Sequence, residues 1–342
     1  MIKYLILSIF SCLTSISTFS QGRTIIVSQD GSGDYKTINQ ALEAAPDDSQ
    51  TTTLIYVKKG VYTEKVFVDK PNITILGESR KETQIVVPIL WDNWEKEYKS
   101  KADTTFEIRW GCAPLNLSAK ANDFSLVNIT VYNNYGSTIE KTRAHQFTIF
   151  GRATRTILLN CDLLSDGADN VSLWNKVDGM YYHEGCYFRA PGVDYVCPRG
   201  WCYITDCEFE GAAPAQIWHD GDNNLSQKFV INNSHFKGME KSWLGRYHRD
   251  HQIYLLNCTF DQNIMDRPIA YAYKDRQMNL KKGHRVYYFN CKREGETPTW
   301  MKDNLEQAEG SPSILEITPE WTFDGMWNPE LKLNELKNLI PR

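Results

Sequence analysis

LLNCDL (158–163), HEGCYF (183–188), ITDCEF (204–209), LLNCTF (255–260) and YFNCKR (288–293) are five versions of one phrase. Each joins a short apolar run to a polar turn residue, a cysteine and a second short run. LVNITV (126–131) and INNSHF (231–236) are two more copies, with other residues at the cysteine position. Successive copies lie 32, 25, 21, 27, 24 and 33 residues apart. Repetition at this period, with strand-sized apolar runs, is the signature of a solenoid.

The units are rich in Val, Ile, Thr, Tyr and Phe, and their apolar runs span only four to six residues. That favours strands over helices, and so a parallel β-helix over a helical repeat. A small residue returning once per coil can stack above itself in the interior. Most of the cysteines therefore read as buried small apolar residues, not as ligands or disulfides. Cys197 and Cys202 fall outside the pattern and are the candidates for a disulfide or a surface position.

Working outward, the segment before the repeat fits a short N-terminal helical cap. Thr37 can cap a helix whose Ile38, Ala41, Leu42 and Ala45 fall at helical spacing before Pro46. Strands are expected at 54–57, 65–68 and 72–76. Residues 90–105, polar and aromatic, read as a long loop. After Cys291 the chain turns polar, with loops at 294–297 and 306–312 and a short helix at 329–339.

At the start, Lys3 and the apolar residues 4–13 have the form of a secretion signal, with small residues at 18–20 before a cut at Gln21. The apolar run is too short to span a bilayer. Phe10 and the short run argue against lipidation of Cys12. The expected organisation is a signal peptide at 1–20 and one domain at 21–342, exported and monomeric. The 342 residues carry 38 basic and 42 acidic side chains, a formal net charge of -4. With no basic footprint, nucleic acid is not an expected partner. No zinc motif, phosphate-binding glycine loop or Gly-x-Ser-x-Gly elbow is present. The run from His219 to Asn224 has the look of a calcium loop but lacks its bidentate Glu, and reads as a polar solenoid turn.

GSGDYKTINQALEAAP (31–46), VKKGVYTEKVFV (57–68) and NITILGES (72–79) resemble the N-terminal coils of the pectin methylesterase (pectinesterase) family. That family also carries a His-Gln pair, a Val-Asp-Phe-Ile-Phe-Gly strand and a Leu-Gly-Arg-Pro-Trp strand. Here His145-Gln146, Gly192-Val193-Asp194-Tyr195-Val196 and Trp243-Leu244-Gly245-Arg246-Tyr247 stand in the same order, and the likeness runs from about residue 24 to residue 292. The resemblance implies a right-handed parallel β-helix that removes methyl groups from esterified galacturonan, an acidic plant polysaccharide (pectin), without a metal or other cofactor. By position it makes Asp194 the nucleophile, Arg246 the residue that orients it and holds it ionised, and Gln146 a donor to the oxyanion.

The chemistry is coherent. A carboxylate attacking an ester forms an anhydride that water hydrolyses. A neighbouring guanidinium favours the ionised nucleophile. Methanol leaves poorly, so a second group should protonate it. In the family that acid is an Asp in a Gln-Asp-Thr-Leu-Tyr turn. The turn here reads Gly167-Ala168-Asp169-Asn170-Val171-Ser172-Leu173-Trp174, and neither alignment leaves an Asp in place. Asp169 or Asn170 then stands nearest the acid and its partner. The alternatives are that Asp169 acts from a displaced position, that His248 or His183 donates the proton, or that the acid is lost. Among the ring residues near the site, Tyr195, Trp201 and Tyr247 are expected to face the cleft and stack on sugars, with His248 beside them. The competing functions are a non-catalytic pectin-binding β-helix, and a β-helix lyase or glycoside hydrolase. A hydrolase would need two carboxylates flanking the glycosidic bond, and only Asp194 is well placed.

Overall fold

The computed structural model describes residues 22–47, 50–99, 110–212, 215–219, 221, 223–247, 249–271, 280 and 282–341. The signal at 1–20 with Cys12, the end of the 90–105 segment, His248, Asp220 and Asp222 lie outside the described residues.

Each coil of the chain delivers one strand to each of three parallel sheets, the architecture of a parallel β-helix. The first sheet runs through ten strands, from Thr24–Val27 and Thr53–Val57 to Gln252–Leu256 and Val286–Phe289. The second holds nine, from Gly60–Tyr62 to Lys292–Arg293. The third is split. One part runs Val66–Val68, Leu115–Leu117, Ile149–Gly151 and Val171–Leu173; the other runs Ala215–His219, Trp243–Tyr247 and Ala270–Tyr271. Between them the chain at 193–199 makes only isolated bridges, Val196 to Val171 and to Ile217, and Arg199 to Trp174.

The repeated phrase explains the register. Its third letter sits at the corner between the first and second sheets and adopts a left-handed backbone: Asn128 (φ 55), Asn160 (φ 53), Gly185 (φ 65), Asp206 (φ 54), Asn233 (φ 44), Asn257 (φ 54) and Asn290 (φ 50). Asn, Asp and Gly tolerate this region better than other residues. The side chains then bond along the solenoid. Asn160 Nδ2 donates to Asn128 Oδ1 at 2.8 Å, Asn257 to Asn232 at 3.0 Å, and Asn290 to Asn257 at 2.9 Å. Gly185 has no side chain to continue the ladder. There Arg80 bonds Asn160 Oδ1 at 2.7 Å, the Gly185 carbonyl at 3.0 Å and Asp162 Oδ1 at 2.7 Å.

The fourth letter points inward. Cys161, Cys186, Cys207, Cys258 and Cys291 belong to one buried core, and Cys161 and Cys258 donate their thiols to backbone carbonyls one coil away, both at 3.4 Å. All eight cysteines of the described chain are free and buried. This corrects the expectation for two of them: Cys202 faces the core between Tyr181 and Phe229, and Cys197 is enclosed beside the split in the third sheet. The sixth letter builds a ring stack, Phe188–Phe209 at 5.0 Å, Phe209–Phe236 at 4.4 Å and Phe236–Phe260 at 5.0 Å.

At the N-terminal end Thr37 caps the helix Ile38–Ala44 in a reciprocal box with Gln40, and Ile38, Ala41 and Leu42 enter the core. The expected loop at 90–105 is instead a helix over Trp91–Lys99. Trp91, Trp94 and Tyr98 recur at helical spacing, and Trp94 is buried against Phe147 and Phe150 of the third sheet. At the other end, Phe323 and the helix Glu330–Leu339, with its Leu333 and Leu336, cover the apolar outer face of the first sheet. Among the described residues no helix is long and apolar enough to cross a membrane.

Two stability outcomes are expected. In urea unfolding, Asn257→Gly should lose the ladder bonds, about 1–2 kcal/mol, while Asn257→Ala should cost about 1–2 kcal/mol more because Ala resists positive φ. His183 lies inside the solenoid between Leu158 and Ile204, and neither ring nitrogen has a hydrogen-bond partner among the described residues. Burial drives its pKa down to about 4. A folded pKa below the unfolded value of about 6.5 means that stability is full above pH 6.5 and falls as pH drops towards 4, by up to about 3 kcal/mol. His183→Leu should flatten that acid limb in melts between pH 4 and 7.

Candidate active site

The split in the third sheet is where the charged groups gather. Gly167 and Gly192 let three coils press together there. A Cβ on Gly192 would lie 2.6 Å from the Ala168 nitrogen, and one on Gly167 2.1 Å from the Ala144 carbonyl. The Asp169 N–H donates to the Val193 carbonyl at 2.9 Å and the Asp194 N–H to the Ala215 carbonyl at 2.8 Å. Both aspartates are left-handed (φ 57 and 59) and both are buried, one coil apart.

Arg246 reaches Asp194 from two coils on. Its Nη2 donates to Oδ2 at 2.6 Å and its Nε to Oδ1 at 3.3 Å, a two-point grip on a carboxylate with no exposed surface. The guanidinium lies over the Trp218 ring at 4.0 Å, and Trp218 and Arg246 are direct partners across adjacent strands. Burial, then the Asp169 charge, push the Asp194 carboxyl up, against the pull of Arg246 and His145, to about 7. Burial also works against the Arg246 charge, but the hydrogen bond and charge of Asp194 prevail and raise its pKa. The result is a carboxyl that ionises near neutrality.

The remaining site candidates fall out differently. Asp169 stands beside Asp194, with His145 Nε2 3.5 Å from its Oδ2. Gln146 is buried, and both ends of its amide meet the neighbouring loop: Nε2 donates to the Thr142 carbonyl at 3.0 Å, and Oε1 accepts from the Gly136 N–H at 3.1 Å. Asn170 is engaged elsewhere and donates to the Leu163 carbonyl at 2.8 Å. The expectation that Tyr195, Trp201 and Tyr247 line the cleft is overturned for all three. The Tyr195 ring is enclosed, and its hydroxyl donates to the Ala212 carbonyl at 2.7 Å. Trp201 sits on the first sheet, where Nε1 donates to Asp324 at 3.0 Å and fastens the C-terminal segment. Tyr247 follows outward-facing Arg246 and by strand alternation joins the core. The rings that flank the site are half-buried Trp218 and Trp174, the latter under the Arg199 guanidinium at 4.0 Å. His145 and Arg199 were missed. The His145-Gln146 pair carries no local sign that His145 meets Asp169, and none sets Arg199 against Trp174. Among the described residues no group of His, Cys, Asp and Glu is arranged to hold a metal ion.

The fold and site are thus those of a parallel β-helix with a buried aspartate gripped by an arginine and a second aspartate one coil away. Residues 24–264 match the pectinesterase family model, and the chain belongs to the pectinesterase family. It is 28% identical over 197 residues to a pectinesterase of Daucus carota, covering 56% of this chain and 53% of the relative. It is 25% identical over 321 residues to probable pectinesterase 67 of Arabidopsis thaliana, covering 90% and 87%. The chain thus spans about half the length of the carrot relative. A pectin methylesterase solved in complex with hexasaccharide VII superposes with a TM-score of 0.70 at 19% identity, covering 91% of this chain and 99% of that one.

The electrostatics are testable by titrating Asp194, followed through its carbodiimide labelling rate. Asp169→Asn removes a like charge and should move the midpoint below 7; Arg246→Gln removes the counter-charge and should move it above.

Proposed function

We propose that the chain hydrolyses methyl esters of galacturonate units in pectin. The observation that carries this reading is the two-point Arg246 grip on fully buried Asp194, with Asp169 in line beside it. An Asp194 oxygen attacks the ester carbonyl carbon, and the tetrahedral intermediate collapses to an anhydride with loss of methoxide. Asp169, protonated, gives the methoxide its proton and methanol departs. Water then attacks the anhydride, Asp169 takes its proton back, and the Asp194 carboxylate is released. Arg246 keeps the nucleophile oriented throughout. One Nε2 hydrogen of Gln146 is held by the Thr142 carbonyl, and donation to the oxyanion falls to the other.

Of the three candidate acids, Asp169 is favoured by its place next to Asp194. His183 is sealed inside the core, remote in kind from a group that must meet a leaving alcohol. The same family membership favours pectin as the partner over a lyase or hydrolase reading. Export is supported by Lys3 and the apolar run at 4–13, and by a substrate that lies outside the cell. A monomer is supported by the first sheet's apolar outer face, which the chain's own C-terminal segment covers.

Methanol release from highly methylated pectin is the test. The wild-type protein should release methanol, Asp194→Asn should fall to background, and Asp169→Asn should lose roughly 10²–10⁴-fold. A folded wild type that binds pectin without releasing methanol would favour the non-catalytic alternative.

A further inference from the structure

We infer that His145 is the proton partner of Asp169: the two hold the acid's proton between them, and His145 passes the product's proton out to water. The inference rests on the ester hydrolysis proposed above and adds a positioning residue that acts through Asp169.

The chemistry sets the requirement. In the second half of the reaction the water oxygen bonds to the acyl carbon, and the anhydride bond to Asp194 breaks. One water proton returns to Asp169 and the other stays on the new carboxyl group. A free carboxylic acid gives up that proton well below neutrality. Each turnover therefore leaves one proton more than Asp169 takes back, and it is set free among groups with little access to solvent. The Asp194 side chain has no exposed surface, and that of Asp169 is only 9% exposed.

His145 meets both sides. Its Nε2 stands 3.5 Å from Asp169 Oδ2, while 50% of its side-chain surface is open to solvent. Catalytic hydrogen bonds are commonly long without substrate and shorten when it binds. Imidazole is the side chain that takes and releases protons near neutral pH.

Backbone contacts hold the pair together. His145 forms a parallel bridge with Ala168, the residue before Asp169. The Gln146 N–H donates to the Ala168 carbonyl at 3.0 Å, and the Ala168 N–H to the Ala144 carbonyl at 3.1 Å. The His145 carbonyl accepts from the Trp91 N–H at 3.0 Å, which ties it to the helix Trp91–Lys99. The imidazole lies 24° from parallel with the Phe147 ring, centres 6.3 Å apart, and Trp91, Phe150 and Trp174 hold Phe147 edge-on. Among the charged groups nearby, Asp169 touches the imidazole and Asp194 feels its charge. Arg246 is committed to Asp194, Arg143 is paired with Glu240 at 2.7 Å, and the helix brings exposed Asp92 in its first turn.

The protons then balance. With one proton on the pair, Asp169 is the acid and His145 is neutral. That proton goes to methoxide, and a proton from water replaces it. The proton of the product carboxyl enters as a second, giving protonated Asp169 and an imidazolium, which releases it to solvent. The product is left as a carboxylate, repelled by Asp194.

The test is methanol release from highly methylated pectin near neutral pH by His145→Gln and His145→Lys, with and without added imidazole. Both variants should keep KM and lose at least about tenfold in kcat. Lys keeps a charge but holds its proton far above neutrality, so it should be as slow as Gln. Added imidazole should restore the rate of His145→Gln in proportion to its concentration, and should neither speed the wild type nor rescue Asp169→Asn. A wild-type rate in either variant, or a loss of kcat that imidazole does not touch, would overturn the inference. Either result beside active wild-type protein removes the proton partner alone, whereas no release by the wild type removes the esterase reading with it.

Discussion

Seven successive coils of this protein, from Asn128 to Asn290, turn on a residue with positive φ at the corner between the first and second sheets. The left-handed Asn, Asp or Gly bends the chain in one step and leaves the following cysteine facing inward. Because the asparagine amides also bond from coil to coil, the corner fixes register as well as direction. Parallel strands have no hairpin to align them, so a ladder at a fixed corner supplies what turn geometry supplies elsewhere. The cysteines and the Phe188–Phe260 ring stack then fall into line within the interior. Where the ladder lacks a side chain, at Gly185, Arg80 bonds the Gly185 carbonyl and the Asn160 side chain on the preceding coil.

The site depends on that register and on one local departure from it. At 193–199 the third sheet gives way to isolated bridges, and Gly167 and Gly192 allow unusually close contact between coils. Two left-handed aspartates thereby come to stand one above the other. Burying two carboxylates together is unfavourable unless a cation compensates, and Arg246 does so for Asp194 with two hydrogen bonds. The balance is incomplete, and the carboxyl titrates near 7. A stronger counter-charge would hold the carboxyl lower; a weaker one would leave it protonated.

The rim of the cleft is made from segments far apart in sequence. The helix Trp91–Lys99, Phe147 and Phe150 of the third sheet, and Trp174 form one aromatic wall. Two ring–guanidinium stacks stand beside it, Arg246 on Trp218 and Arg199 on Trp174.

The sequence by itself determined the solenoid, because the residue types that tolerate a left-handed corner and fill a coil interior recur at a readable period. It also determined the Asp194–Arg246 pair, carried by short motifs in a fixed order. Only the tertiary structure decided which face each aromatic residue meets. Tyr195 and Tyr247 are enclosed while Trp174 and Trp218 stay half-buried, since the segments that neighbouring coils lay over each ring set its burial. Likewise the contact of His145 with Asp169, and of Arg199 with Trp174, joins residues 24 or 25 positions apart. Such pairings are set by the number of residues in each coil, which varies here from copy to copy, and so they exist only once the coils are stacked.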